Sequence, residues 1–332
     1  MPLFSLEDLA AAAAVVRTFV PPTPAYAWPL LRQRTGVEIL VKHENHTPTG
    51  AFKARGVLVY LDALRRAGTL PGGLVSATRG NHGQAVAVAA ARNGIPAVIV
   101  VPHGNSVEKN AAMAAFGAEV IIAGADFDES RVVAARIARD RGYHFVPAFH
   151  PDIVKGVATY AQELFQAARD LAVIYVPIGM GSGICGLITV RDLLGLETEI
   201  VGVVADQAPA FALSFEAGHP VSTPSARTFA DGMACRDPQA EPLAIIKAGA
   251  ARIVRVGETA IAEAIRIYYT DTHNLAEGAG AAPLAALIGE RDRYAGKRVG
   301  VILSGGNIDA PAFADILRGR TPSPSSSTEI VS

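Results

Sequence analysis

Short apolar runs rich in valine and isoleucine alternate along this chain with longer stretches of helical character. An apolar run of this kind predicts a strand that is buried on both faces, as in a parallel sheet covered by helices. Alternation of such strands with helices predicts βαβ units, so the expected fold class is α/β. The strand-like runs span residues 73–76, 97–101, 119–122, 145–146, 173–178, 200–205 and 299–303.

The composition agrees with a large folded protein that has more than one lobe. Of the 332 residues, 50% are hydrophobic and 18% are charged, which is enough apolar surface for a sizeable core. The formal net charge is −1 and the chain has no basic run, so nucleic acid is not an expected partner. The clearest joints are Pro-Gly-Gly at residues 71–73 and the segment around His150 and Pro151.

One lysine, Lys53, stands among small and apolar residues in the segment TGAFKARG, residues 49–56. A turn at residues 47–50 precedes a helix that is expected to begin near Phe52, which places Lys53 in the first helical turn. Burial and the positive end of the helix dipole both favour the unprotonated amine, the form that attacks a carbonyl. Lys53 is therefore a candidate Schiff-base lysine, and a surface lysine is the alternative.

A glycine-rich segment, VPIGMGSGICG at residues 176–186, follows one predicted strand and precedes a predicted helix. A strand, a glycine turn and a helix N-terminus together offer unpaired backbone N–H groups to a phosphate. Glycines 181 to 186 also have the spacing G-x-G-x-x-G, and Asp206 follows at the end of the next strand, which is the fingerprint of NAD binding. An NAD-dependent oxidoreductase is therefore an alternative, although it would leave the lysine without a role.

Two further segments place polar groups after predicted strands. The segment ATRGNHGQ, residues 77–84, combines short polar side chains with open backbone amides that suit a carboxylate or a ring hydroxyl. In LSGGN, residues 303–307, Ser304 follows a buried strand at the end where ligands of parallel sheets collect. A lysine, a phosphate cradle, a loop for an anion and a hydroxyl at a strand end are together the parts of a pyridoxal phosphate site.

These motifs, in this order, resemble the serine/threonine dehydratase (ammonia-lyase) family of fold-type II, tryptophan synthase beta-like, pyridoxal-phosphate enzymes. The correspondence runs from Thr23 to about Asn307, and the motifs are specific together although each alone is weak. The matching segments are KHEN at residues 42–45, FK at 52–53, GNHGQ at 80–84, the glycine turn, ADG at 230–232, EGAG at 277–280 and SGGN at 304–307.

The resemblance implies a two-lobed fold of parallel sheets flanked by helices, with the cofactor between the lobes. The large lobe is expected to comprise residues 1–72 and 151–320, and the small lobe residues 73–150. Residues 321–332 are polar and broken by proline, so a disordered tail is expected there.

For the cofactor, the resemblance assigns Lys53 as the lysine that forms the Schiff base and as the general base. It also implies that Phe52 flanks the cofactor ring, that Asn81 hydrogen-bonds the ring 3-hydroxyl and that Ser304 faces the pyridine nitrogen. Glu277 lies in a segment that lines the cofactor in this family. The residues expected around the phosphate are Gly179, Met180, Gly181, Ser182 and Gly183.

For the substrate, the resemblance implies that Thr78, Asn81 and His82 receive the carboxylate. Arg79 departs from the family, which often has serine at this position, and in the racemases of the family that serine is the second acid/base. A guanidinium does not exchange protons near neutrality, so Arg79 argues against an amino acid racemase, which stays an alternative. Arg79 could instead bind a second anionic group of the substrate or form a structural ion pair.

Some members of the family hold a divalent cation with two acidic side chains and a backbone carbonyl. Asp206 matches the first of these acids, but Ala212 stands at the position of the second. We therefore expect no metal site, with at most weak binding at Asp206.

The implied activity is β-elimination of a 3-hydroxy amino acid, L-threonine or L-serine, to a 2-oxo acid and ammonia. A dehydratase for 3-hydroxyaspartate or phenylserine is an alternative within the same chemistry. No regulatory domain is expected after Asn307, which favours a catabolic role, and the family analogy implies a homodimer. Residues 1–9 contain no basic residue, and the uncharged residues 171–190 are broken by Pro177 and glycines, so we expect a cytoplasmic enzyme without a membrane segment.

Overall fold

The computed structural model of the protein describes residues 2–323 and contains two β-sheets, one of six strands and one of four. In chain order the strands are β1 (Ala25–Ala27), β2 (Glu38–His43), β3 (Leu74–Ala77), β4 (Ala97–Val101), β5 (Glu119–Ile122), β6 (His144–Phe145), β7 (Val173–Pro177), β8 (Glu199–Ala205), β9 (Arg252–Val256) and β10 (Arg298–Leu303).

Helices connect the strands throughout the described residues. In chain order they are α1 (Leu6–Val16), α2 (Pro29–Thr35), α3 (Lys53–Arg66), α4 (Asn81–Arg92), α5 (Val107–Ala115), α6 (Phe127–Arg141), α7 (Pro151–Val157), α8 (Thr159–Ala167), α9 (Ser182–Leu193), α10 (Ala210–Ala217), α11 (Ala240–Gly249), α12 (Glu258–Thr272), α13 (Gly278–Glu290) and α14 (Ala310–Leu317).

The two sheets are built mainly from parallel strands. The larger has the order β1-β2-β10-β7-β8-β9, in which only the edge strand β1 is antiparallel to its neighbour. The smaller has the order β5-β4-β3-β6 and is parallel throughout. The predicted α/β class is therefore confirmed. All strands of the smaller sheet lie between residues 73 and 150, whereas the proposed domain boundaries themselves stay a prediction.

All the runs predicted as strands are strands, and their ends differ from the prediction by at most one residue. Three strands, β1, β2 and β9, were not predicted. The sequence of β2 is EILVKH, and its Lys42 is fully buried, which an apolar pattern does not anticipate. Lys42 tolerates this position because its Nζ donates to the Glu163 carboxylate at 2.6 Å. Strand β9 carries Arg252 and Arg255 at the sheet edge, and β1 has three residues.

The N-terminal helix has the predicted cap. The Ser5 hydroxyl accepts a hydrogen bond from the backbone N–H of Asp8, and the Asp8 carboxylate accepts one from the Ser5 N–H. No helix of residues 2–323 is long and apolar enough to cross a bilayer. At the other end, residues 321–323 are irregular, and the rest of the segment expected to be a disordered tail lies outside the described residues.

Helix α3, which begins with Lys53, packs closely on α7 through two glycines. A Cβ on Gly156 would lie 2.3 Å from the backbone oxygen of Arg55, and a Cβ on Gly56 would lie 2.8 Å from Ile153. Only hydrogen atoms fit between these two backbones. The position of Lys53 is therefore set by a direct contact of helix backbones.

Candidate active site

A cavity lies at the carboxyl ends of strands from both sheets. The loops after β3, β7 and β10 line it, together with the first turn of α3. Ligands of open parallel sheets bind at this end of the strands. The lining contains every predicted cofactor and substrate residue, namely Phe52, Lys53, Thr78, Arg79, Asn81, His82, Gly179, Met180, Gly181, Ser182, Gly183, Glu277 and Ser304.

Four helices, α3, α4, α9 and α13, begin at this cavity. Their N-cap residues are Phe52, Gly80, Gly181 and Glu277, and no side chain of the described residues caps these four N-termini. The N–H groups of their first turns are therefore not occupied by caps. Gly181 has a φ of +94°, in the left-handed region that favours glycine. Four helix N-termini at one cavity make it suitable for anions.

Lys53 presents its amine to this cavity. Its Nζ donates to the Ser182 hydroxyl at 3.4 Å and lies 4.6 Å from the centre of the Phe52 ring. Burial lowers the pKa of Lys53 to about 8, and the nearby Glu277 carboxylate opposes part of that shift. At pH 7 roughly a tenth of the amine is then unprotonated, far more than for an ordinary lysine, and the direction of the shift agrees with the prediction from the sequence.

Arg55, the other cation of the motif, does not line the cavity. Its guanidinium is fully buried and donates to Glu44 at 2.7 Å and to Glu163 at 2.8 Å. Lys42 also binds Glu163, so two cations and two carboxylates form a buried, charge-balanced cluster. Arg55 therefore anchors α3 on the side away from the site.

A chain of hydrogen bonds fixes the Asn81 side chain. Its Nδ2 donates to Glu277 Oε1 at 2.6 Å, and its Oδ1 accepts from Asn307 Nδ2 at 2.8 Å. Asn307 Nδ2 also donates to the Thr49 carbonyl at 2.8 Å. Because the two sides of the amide have different partners, its orientation is determined, with one N–H of Asn81 left for a ligand.

His82 brings an imidazole to the same wall. Burial, and secondly Lys53, lower the pKa of His82 to about 4, so the ring is neutral near pH 7. Its buried Nε2 has no hydrogen-bond partner among the described residues. A buried polar atom without a partner at a cavity wall is an open position for a ligand atom or water.

Asp206 lies apart from this site. It follows β8 and does not line the cavity. Among residues 2–323, no group of three or more His, Cys, Asp or Glu side chains is arranged to hold a metal ion. The β7–α9–β8 unit has the connectivity that the NAD alternative required, but the lysine, amide and hydroxyl around its glycine turn are not parts of a dinucleotide site.

Several residues of the lining were not proposed from the sequence. Lys109 on α5 is the most informative, because it is a buried cation. The sequence pattern that could have identified Lys109 is its position four residues before the buried Met113 on an alanine-rich helix, because this spacing places the charge on the apolar face. The lining residues outside the motifs quoted from the sequence also include Phe127, Ala148, Ala234 and Cys235, and Asp231 lies in the motif ADG without an assigned role.

The residues around the cavity fit pyridoxal phosphate. Lys53 offers an amine of lowered pKa for the aldehyde, and the uncapped turn at Gly181 offers amides for the phosphate. Ser304, which is 3% exposed, offers a hydroxyl suited to the ring nitrogen. A Cβ on Gly183 would lie 3.7 Å from the Phe52 ring, so that aromatic ring borders the phosphate turn.

Comparison with known proteins agrees with this fit. The family described as pyridoxal-phosphate dependent enzyme matches residues 16–305. An L-threonine ammonia-lyase of Geobacter sulfurreducens is 36% identical over 86% of this chain and 71% of its own length. An L-threo-3-hydroxyaspartate ammonia-lyase of Pseudomonas sp is 30% identical over 96% of this chain and 100% of its own. The crystal structure of a T.th. threonine deaminase matches with a TM-score of 0.86 and 33% identity, covering 92% of this chain and 99% of that one.

Proposed function

Because this chain belongs to the pyridoxal-phosphate dependent enzymes, we propose that it is an ammonia-lyase that converts a 3-hydroxy amino acid to a 2-oxo acid and ammonia. The first candidate substrates are L-threonine and L-serine. The observation that carries the proposal is a lysine of lowered pKa in a cavity that four helices approach with their N-termini. Such a cavity suits two anions, the cofactor phosphate and the substrate carboxylate.

When bound, pyridoxal phosphate supplies the electron sink that makes the Cα–H bond of an amino acid acidic. Lys53 is proposed to take the Cα proton on its Nζ, for which its pKa of about 8 is well matched. The site residues Thr78, Asn81 and His82 are proposed to hold the carboxylate. The uncapped N-terminus of α4, which starts with Asn81, supports this assignment.

Ser304 favours elimination over chemistry that needs a protonated ring nitrogen. A serine hydroxyl can hydrogen-bond the ring nitrogen but does not transfer its proton near neutral pH. The electron sink is then weaker, so the route that expels the β-hydroxyl group is favoured. Phe52 is proposed to flank the ring, and residues 179–183 to bind the phosphate.

The position of Arg79 is compatible with two kinds of substrate side chain, a neutral one and one that carries a second carboxylate. Thr78 is buried, and Arg79 is half-buried in the cavity wall, where it can face a substrate. A dicarboxylate such as 3-hydroxyaspartate would match a guanidinium, and one relative is named for that activity. Phenylserine and racemisation are further outcomes that one experiment distinguishes.

The test is a panel of L- and D-isomers of serine, threonine, 3-hydroxyaspartate and phenylserine, with release of 2-oxo acid and ammonia measured for each. The chirality of the remaining substrate is measured in the same samples. Oxo acid from one or more members supports the lyase and identifies its substrate. Scrambled chirality without oxo acid would identify a racemase, and the absence of both oxo acid and scrambling would overturn the proposal.

A lysine pair makes the test specific. Lys53→Ala should lower the rate of oxo acid release by at least about 10³-fold. It should also remove the borohydride-sensitive absorbance of the purified protein. Lys297→Ala, at an exposed lysine, should change neither. A colourless wild-type protein that retains a dinucleotide would instead support the oxidoreductase alternative.

We also infer a homodimer in the cytoplasm and a division into lobes at residues 72 and 150. Exposed apolar side chains at Leu30 and Tyr269, on the neighbouring helices α2 and α12, support a subunit contact. Sedimentation of the purified protein tests the oligomeric state. Limited proteolysis with mass spectrometry tests the domain boundaries.

A further inference from the structure

We propose that Lys109 is a positioning residue of the active site: its ammonium holds the Glu277 carboxylate in place, and through Glu277 it orients Asn81 toward the cofactor. The inference rests on the proposed function, because it assigns Lys109 a task in the same cavity. Lys109 would act through two side chains and without contact with the reacting atoms.

Lys109 connects three separate segments of the cavity wall. Its Nζ lies 3.2 Å from Asp231 Oδ2 and 3.6 Å from Glu277 Oε2. Its aliphatic stem packs on the loop before α4, where a Cβ on Gly80 would lie 2.5 Å from Lys109 Cδ. The residue is 8% exposed, so the ammonium is largely taken out of water, as is its partner Glu277, whereas the Asp231 side chain is half-buried.

Glu277 depends on this ammonium because its surroundings are otherwise unfavourable for a carboxylate. It is 6% exposed, and burial raises its pKa, whereas Lys109 and the Asn81 hydrogen bond lower it. Asp231 raises the pKa of Glu277 further, so a second carboxylate already competes for the same cation. Lys53 also lies near Glu277, but its amine must be unprotonated to bind an aldehyde or to take a proton, so it is not a permanent counter-charge for Glu277.

Glu277 in turn fixes one of the two sides of the Asn81 amide. Its Oε1 accepts from Asn81 Nδ2 at 2.6 Å, while the other side of the amide accepts from Asn307. A carboxylate is only an acceptor, so it selects the amino side of Asn81. A protonated Glu277 could donate as well, and the orientation of the Asn81 amide would then rest on Asn307 alone.

The experiment compares Lys109→Gln, Lys109→Arg, Glu277→Gln and the double variant Lys109→Gln/Glu277→Gln. For each variant, pyridoxal phosphate is titrated into the apoprotein between about pH 5 and 9, and affinity and absorbance spectrum are recorded. Activity with the best substrate of the panel is measured over the same range. Lys155→Gln is the matched control, since that lysine pairs with Asp152 outside the cavity.

Lys109→Gln should weaken cofactor affinity by about tenfold or more and should move the acid limb of binding to higher pH. Lys109→Arg should restore the wild-type profile to within about threefold, because it keeps the charge. In the Glu277→Gln variant, the new amide oxygen still accepts a hydrogen bond from Asn81. Adding Lys109→Gln to this variant should therefore weaken cofactor affinity by less than about threefold.

The proposal would be overturned if Lys109→Gln lowered cofactor affinity equally in the wild type and in the Glu277→Gln variant and left the pH profile of binding unchanged, because Lys109 would then act independently of Glu277. If the single variant Lys109→Gln does not fold, the cofactor affinity of the double variant is compared with that of Glu277→Gln, and a difference above about threefold overturns the proposal. Failure of the double variant to fold also overturns the proposal. Cofactor titration needs no substrate, so a wild type that binds the cofactor but releases no oxo acid refutes the proposed function and leaves this result intact.

Discussion

The backbone N–H of Phe52 donates a hydrogen bond of 3.1 Å to the carbonyl oxygen of Ser304. The neighbouring residues continue this contact, since the Gly306 N–H donates to the Gly50 carbonyl at 2.9 Å. The segment that carries the proposed base, Lys53, and the segment that carries the proposed partner of the ring nitrogen therefore share one backbone support. A displacement of either segment would move the other.

The lowered pKa of Lys53 predicts how the apoprotein takes up its cofactor. An amine captures an aldehyde only when it is unprotonated, and burial lowers the pKa of Lys53 to about 8. The rate of reconstitution with pyridoxal phosphate should therefore rise with pH and level off above about 8. Stopped-flow absorbance measures this rate, and a rate that is still rising near the ordinary pKa of lysine, 10.5, would contradict it.

Replacement of Arg55 should destabilise the protein strongly. Arg55→Met leaves Glu44 and Glu163 buried with Lys42 as their remaining cation, so unfolding free energy should fall by about 3–5 kcal/mol. Denaturant unfolding of the apoprotein measures this free energy for the wild type and the variant. Adding Glu44→Gln removes the uncompensated charge and should recover part of the loss, whereas additive losses would show that the cluster is not coupled.

The close contact of α3 and α7 predicts a loss on adding one methyl group. In Gly156→Ala the new Cβ meets the Arg55 carbonyl oxygen, so we expect about 1–3 kcal/mol of destabilisation and lower activity through displacement of Lys53. Gly289→Ala, at an exposed position of α13 with open space around it, should be neutral or stabilise by up to about 1 kcal/mol. Similar effects of the two changes would show that α3 and α7 can separate freely.

Arg79 should decide how well the enzyme accepts a dicarboxylate. Arg79→Ser should lower kcat/KM for 3-hydroxyaspartate by about tenfold more than for threonine, because it removes a guanidinium from the cavity wall. Arg79→Lys keeps the charge and should show a smaller difference. An equal decrease for both substrates would assign Arg79 a structural role.

Local patterns were sufficient for much of this protein. The strands around the cavity and the glycine turn follow from apolar runs and turn residues, which act over short stretches of chain. The motif order gave the family resemblance, which the family match at residues 16–305 confirms. Strand β2 was missed because the apolar pattern does not describe a strand whose buried Lys42 is neutralised by a residue more than a hundred positions away.

By itself, the sequence determined the α/β class, the lysine, and the loops that converge at the carboxyl ends of the strands. Only the tertiary structure decided that Arg55 binds Glu44 and Glu163 away from the cavity and that Lys109 faces Glu277 within it. The reason is that the energy of a buried charge depends on its distance from charges on other segments, and packing alone sets those distances.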